Sequence, residues 1–163
     1  MRIQYGLLIL IALFVLYWLQ VNPIQPLPKP LCLNHGYSFL NSQLQIKIKQ
    51  QPKNHLHYLQ RAQLFLTQGD TATALKDLHC AIKIQPHAVE PFFICAQIYA
   101  ARNHSHDALN AINRAISLDT INAEYIHYRG TLKRVANDYI GAMSDYQKAI
   151  RLGKVNFYKG SGC

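Results

Sequence analysis

From residue 55 onward, apolar side chains recur at three- and four-residue spacings, as in Tyr58, Ala62 and Phe65, then Ala74, Leu78 and Ala81. Such spacing lays apolar groups along one face of an α-helix and predicts helices rather than strands. Polar breaks at Gln68-Gly69-Asp70, Asn103-His104-Ser105 and Asn137-Asp138 interrupt the pattern. They place helices at residues 55–67, 71–84, 89–102, 105–118, 123–135 and 139–151. Gly69 and Asn103 suit the left-handed backbone that ends a helix. Pro91 falls in the first turn of its helix, where a missing N–H does little harm.

The pattern also matches itself at a period of 34 residues. Tyr58, Phe92 and Ile126 form one series, and Ala62, Ala96 and Gly130 the next. Ala74, Ala108 and Ala142 form a third, and Leu78, Ile112 and Tyr146 a fourth. Ala81, Ala115 and Ala149 form a fifth, each followed by isoleucine. The copies stay in register without insertion or deletion. Two helices approach closely only where side chains are small, so the second and third series mark a helix crossing. The larger residues fill the space on either side. Upstream, Pro52 lies 34 residues before Pro86, and Leu40, Leu44 and Ile48 recur at four-residue spacing. Residues 37–52 therefore read as the second helix of a degenerate half-repeat. Its expected role is to cap the helix at 55–67, since a repeat cannot bury its apolar face alone.

The N-terminus follows a different rule. Residues 3–21 are apolar except for Gln4, Gly6 and Gln20, with no charged side chain between Arg2 and Lys29. At ~1.5 Å per residue such a helix matches the ~30 Å hydrocarbon core of a bilayer. Tyr5, Tyr17 and Trp18 lie near its ends, where aromatic rings favour the interface. The competing reading is a cleaved signal peptide, but Trp18-Leu19-Gln20-Val21 lacks the small residues of a cleavage site. The sequence thus predicts a transmembrane signal anchor at 1–21, with Arg2 holding the N-terminus in the cytoplasm. The bulk of the chain then falls on the periplasmic side. Four prolines between Pro23 and Pro30 mark the start of a stiff linker assigned to residues 22–36.

The series of large and small residues resembles the tetratricopeptide repeat (TPR) family, as three repeats at 55–88, 89–122 and 123–156. Thr120 and Lys154 replace the closing proline and Lys133 replaces an aromatic, which makes repeat three the least typical. The resemblance implies an all-α fold, a helix-turn-helix superhelix behind an N-terminal transmembrane helix. It also implies a concave groove lined by the first helices. Its expected lining is Leu56, Leu59, Gln63, Leu66 and Thr67, then Glu90, Phe93, Gln97, Ala100 and Ala101, then Glu124, His127, Thr131, Arg134 and Val135. The Lys/Asn/Arg clamp by which some relatives hold a terminal carboxylate is absent, with Leu59, Ile94 and Tyr128 in such places. The groove suits an apolar or amphipathic segment of another protein. Residues 31–50 of the chain itself are the alternative occupant. Arrays of this kind commonly finish with an extra covering helix. Here residues 157–163 are too short for one. Met143, Ile150 and Leu152, with Phe157 and Tyr158, form an expected docking surface for a partner.

Charge and chemistry change little. Of the net charge of +9, residues 55–156 carry only +3, from 11 basic and 8 acidic residues. No dense basic face marks a nucleic-acid binder. His104-Ser105-His106-Asp107 reads as a solvated corner with a cap at Ser105, and His55 and His57 diverge on a helix, so no metal site is expected. Cys80 and Cys95 flank one turn almost symmetrically and read either as a disulfide or as two small core fillers. No catalytic constellation, cofactor motif or small-molecule site is visible. The sequence therefore predicts a membrane-anchored interaction module, an accessory subunit or assembly factor of a membrane protein complex. A secreted binder released by signal cleavage and a thiol redox enzyme are the alternatives.

Overall fold

The structure is a computed structural model that describes residues 31–153, with side chains from residue 36 onward. The expected span at residues 3–21, the linker to residue 30 and the tail at 157–163 lie outside the described residues. Among the described residues no helix is long and apolar enough to cross a membrane. The described residues form seven helices in order: α1 (Leu31–Gln50), α2 (His55–Thr67), α3 (Thr71–Ile84), α4 (Val89–Ala101), α5 (Ser105–Leu118), α6 (Ala123–Val135) and α7 (Tyr139–Arg151). The six helices of the repeats match the periodicity to within one residue. The linker assigned to 22–36 needs correction, because residues 31–36 are already helical. After Pro30 no proline intervenes, and the single Gly36 costs a helix only about 1 kcal/mol, too little to break it.

The repeats belong to the second of two units into which the chain divides, residues 40–163. There α2 pairs with α3, α4 with α5 and α6 with α7, and the α3–α4 and α5–α6 seams join successive pairs. Each hairpin turns on a left-handed residue, Gly69 at φ 77°, Asn103 at 60° and Asn137 at 63°. Asparagine reaches this region at lower cost than other side chains, which is why it can stand in for glycine.

Small residues mark the helix crossings. Ala62, Ala74, Ala96 and Ala108 are wholly buried, and Ala142 is 2% exposed. Leu78, Ile112 and Ile126 are the large residues sealed between them. Gly130 replaces the expected alanine for a steric reason. A Cβ built there would stand 2.8 Å from the ring of Tyr146, the residue that replaces Leu78 and Ile112 of the other repeats.

A second periodicity, of 68 residues, appears only in the polar groups. Asn54 and Asn122 cap α2 and α6, and Asp70 and Asp138 cap α3 and α7, each by accepting a backbone N–H. Arg61 grips Asp77 through two hydrogen bonds of 2.7 Å. Arg129 grips Asp145 in the same way at 2.8 and 2.6 Å. Both aspartates are 4% exposed. Asp145 also receives Lys133 at 2.9 Å, and Arg129 reaches Asn113 on α5 at 3.1 Å. Burial disfavours ionisation of Asp145, yet hydrogen bonds from Arg129 and Lys133 hold its carboxyl below the ordinary carboxylate range. Repeat two has none of these devices. Ala88 and His104 stand at its cap positions without a side-chain bond, so the cap expected from Ser105 is not made. Cys95 and Ala111 stand where the arginine and aspartate would be. In its polar devices repeat two, not repeat three, is therefore the departure.

Candidate functional site

Helices α2, α4 and α6 supply the expected groove. Leu56 is exposed and Leu66 half-buried at its first-repeat end. Leu59 is not offered to a ligand: at 5% exposure it sits in the core cluster that holds Ile94 and Ile98. Position five of the repeat thus points inward in repeat one, where the sequence predicts a lining residue. The amide of Gln63 donates to Glu90 at 2.9 Å, tying α2 to α4. Gln97 is exposed and Ala100 half-buried.

Apolar groups continue further along the array. Phe93 packs on Tyr125 with ring centroids 4.7 Å apart and on Tyr128, nearly edge-on, at 5.4 Å. All three residues are half-buried, so part of each remains at the surface. Burial pushes the Tyr125 phenol up, with Glu124, Asp119 and Glu90 adding to it, and burial alone raises Tyr128. Both remain neutral donors at physiological pH. His127 lies 5.2 Å from the Tyr146 ring, and burial lowers its basicity. The Tyr146 hydroxyl donates to Thr131 at 3.4 Å. Arg134 and Val135 stay exposed at the last turn. Periodicity could not find the aromatic group, because Tyr125 and Tyr128 lie outside the 34-residue series.

Two clefts open on the array, and only the first includes residues of this surface. One of about 440 Å³ opens between α1 and α2, lined by Leu40, Gln43, Leu44 and Lys47 on one side and Gln60, Gln63, Leu64 and Thr67 on the other. Gln63 and Thr67 are expected groove residues, so residues 40–47 of α1 border the first-repeat end of this surface. Another, of about 380 Å³, lies beside the Cys95–Ala111 position, with His79, Phe92, Tyr99 and Arg114 among its walls. It marks the place where repeats one and three carry their arginine–aspartate pair.

Cys80 is exposed, Cys95 is buried, and both thiols are free, so of the two readings the disulfide is not made and only Cys95 fills the core. Symmetry about the turn equalises their height, but Cys80 faces solvent while Cys95 faces the core. Burial pushes the Cys95 thiol up to about 12, so it carries almost no thiolate at neutral pH. Iodoacetamide at pH 7.5 is expected to alkylate Cys80 and to spare Cys95 until the chain is unfolded, as read by peptide mass spectrometry. Equal labelling of both in the native state would show that Cys95 is not sealed in the core. Among the described residues no three His, Cys, Asp or Glu side chains stand together to hold a metal ion.

No family model matches the sequence. Over 102 residues, 63% of the chain, it is 30% identical to Tetratricopeptide repeat protein 13 of Homo sapiens. The chain spans 11% of that protein's length. A crystal structure of MamA superposes with a TM-score of 0.66 at 18% identity, covering 74% of this chain and 70% of that one. MamA from residue 41 to its end, from Desulfovibrio magneticus RS-1, gives 0.65 at 16% identity over 76% of this chain and 70% of that one. These likenesses carry the all-α helical repeat fold.

Proposed function

We propose, from the premise that this chain is a tetratricopeptide-type repeat array, that it works by binding a segment of another protein and not by catalysis. The observation that carries this reading is the half-buried cluster of Phe93, Tyr125 and Tyr128 on the first-helix surface. Partly exposed aromatic rings bind apolar or amphipathic peptide with little loss of side-chain entropy. Exposed Gln97 and Arg134 and half-buried Thr131 flank that cluster and supply polar contacts for register. Residues 3–21 anchor the chain in a membrane with its N-terminus in the cytoplasm, and the repeats lie in the periplasm. The partner is then a subunit of a membrane complex, served as an accessory subunit or assembly factor. The apolar run of residues 3–21 and its aromatic ends support the anchor.

Affinity purification in mild detergent, with mass spectrometry of co-purifying proteins, tests the reading. Wild type is expected to retain a defined set of membrane proteins that a Gln97→Arg/Ala101→Arg variant loses. Both side chains are at the surface, so the helices should survive the change. Retention of the same set would place binding elsewhere. Intact mass in the same preparation is expected to include residue 1. A chain starting between residues 20 and 33 would make the protein a secreted binder.

A further inference from the structure

Within the array, α5 receives the first helix of the next repeat on one face. Leu109, Ile112 and Ile116 share an apolar cluster there with Ala123 and Ile126 of α6, and Ile116 is left only 7% exposed. Thirty-four residues on, α7 carries Met143, Tyr146 and Ile150 at the same positions. Met143 and Ile150 are each 59% exposed. Tyr139 and Ile140 extend the surface, and with Met143, Ser144 and Gln147 they line an open cleft of about 440 Å³. Ile140 is 89% exposed at a position where the other repeats have Ala72 and His106. The repeat does not need an apolar residue there. An apolar patch of this extent marks an interaction surface more often than a solvated one. Leu152, also expected at this surface, instead packs back on the core cluster.

The occupant is set by continuity with the interfaces already present. The α3–α4 and α5–α6 seams each seat a helix, and α7 offers the same positions at the same spacing. Helices that fill such seats bring apolar residues to them, Ile94 and Ile98 of α4 in a cluster with Leu75 and Leu78 of α3, and Ile126 of α6 in one with Ile112 and Ile116 of α5. On α7 itself the exposed charges are positive, Lys148 and Arg151. The carboxylates of α7 and its cap are engaged, Asp145 in its buried pair and Asp138 at the helix start. We infer that α7 seats an amphipathic helix of a partner protein with an apolar face and acidic flanking residues. It forms a further layer of the array, at a surface separate from the groove.

A helix-stabilised, fluorescently labelled peptide of residues 122–136 carrying Lys133→Glu and Arg134→Glu serves as the probe, titrated against the full chain in detergent. Saturable anisotropy is expected. Met143→Ser/Ile150→Ser should weaken it by about tenfold or more, as loss of central apolar anchors does. Ile140→Ser, at a position open to solvent, should weaken it without touching the fold, and circular dichroism reads helicity in both variants. The groove variant Gln97→Arg/Ala101→Arg should bind the probe as wild type does, which separates this surface from the proposed groove. No saturable binding, or equal binding by the α7 variants, overturns the inference. So does self-association of wild type in sedimentation that Met143→Ser/Ile150→Ser abolishes, since the occupant is then a second copy. Probe binding that emerges only after deletion of residues 154–163 assigns the seat to the chain's own tail. Protection of α7 from hydrogen exchange by phosphatidylglycerol but not phosphatidylcholine vesicles replaces the helix with a lipid surface.

Discussion

Asp145→Ala is expected to destabilise the array by about 3–5 kcal/mol, the cost of removing one partner from a buried ion pair. Arg129 is about a fifth exposed, which moves the expectation to the lower end. Without the carboxylate, Arg129 and Lys133 face each other beside α7 with no anion between them. The double variant Arg129→Cys/Asp145→Ala is expected to lose distinctly less. It installs the pair that repeat two already carries, Cys95 and Ala111, in a helix hairpin of the same geometry. Urea midpoints followed by circular dichroism give both numbers, and equal losses in the single and double variants would remove the uncompensated-charge argument. Acid supplies a further readout. Because the folded state holds the Asp145 carboxyl below its ordinary range, its contribution is complete above the unfolded value of about 3.9. It is lost as pH falls through the lower, folded value. Wild type should therefore weaken below about pH 4, and Asp145→Asn should flatten that part of the profile.

The helices were legible because their signal is local. Ala62, Ala96 and Gly130 recur at a fixed interval, and Gly69 and Asn103 end helices by backbone preference alone. The ion pairs were not, although Arg61 with Asp77 and Arg129 with Asp145 have the same 16-residue separation. Their recurrence skips the middle copy, so a comparison at 34 residues averages it away and only one at 68 exposes it. The groove was legible as a surface but not in its detail. Whether Leu59 or Phe93 faces outward depends on how far successive hairpins rotate, and periodicity does not encode that angle. Leu59 turned into the core and Phe93 stayed half-open, though both occupy the fifth position. The apolar excess on α7 could be read in Met143 and Ile150, but Tyr139 and Ile140 needed the fold to show that nothing among the described residues covers them.

Gly130→Ala sets two effects against each other. Alanine gains about 1 kcal/mol over glycine within a helix. The added methyl would stand 2.8 Å from Cε1 and 2.9 Å from Cδ1 of Tyr146, and 3.2 Å from the carbonyl oxygen of Ala142. A ring that donates to Thr131 and rests against His127 cannot swing aside without breaking both contacts. Overpacking of this kind costs about 1–3 kcal/mol, so the net effect is expected to be destabilising despite the better helix former. Adding Tyr146→Leu restores the combination of repeat one, Ala62 against Leu78, where both residues are fully buried. The double variant should recover most of the loss in thermal midpoint, even though Tyr146→Leu alone removes a hydrogen bond and leaves a void. If Tyr146→Leu fails to rescue Gly130→Ala, the ring is not what excludes a side chain at residue 130. The close approach of the Ala142 carbonyl would then be the constraint, and the α6–α7 crossing itself would set the need for glycine.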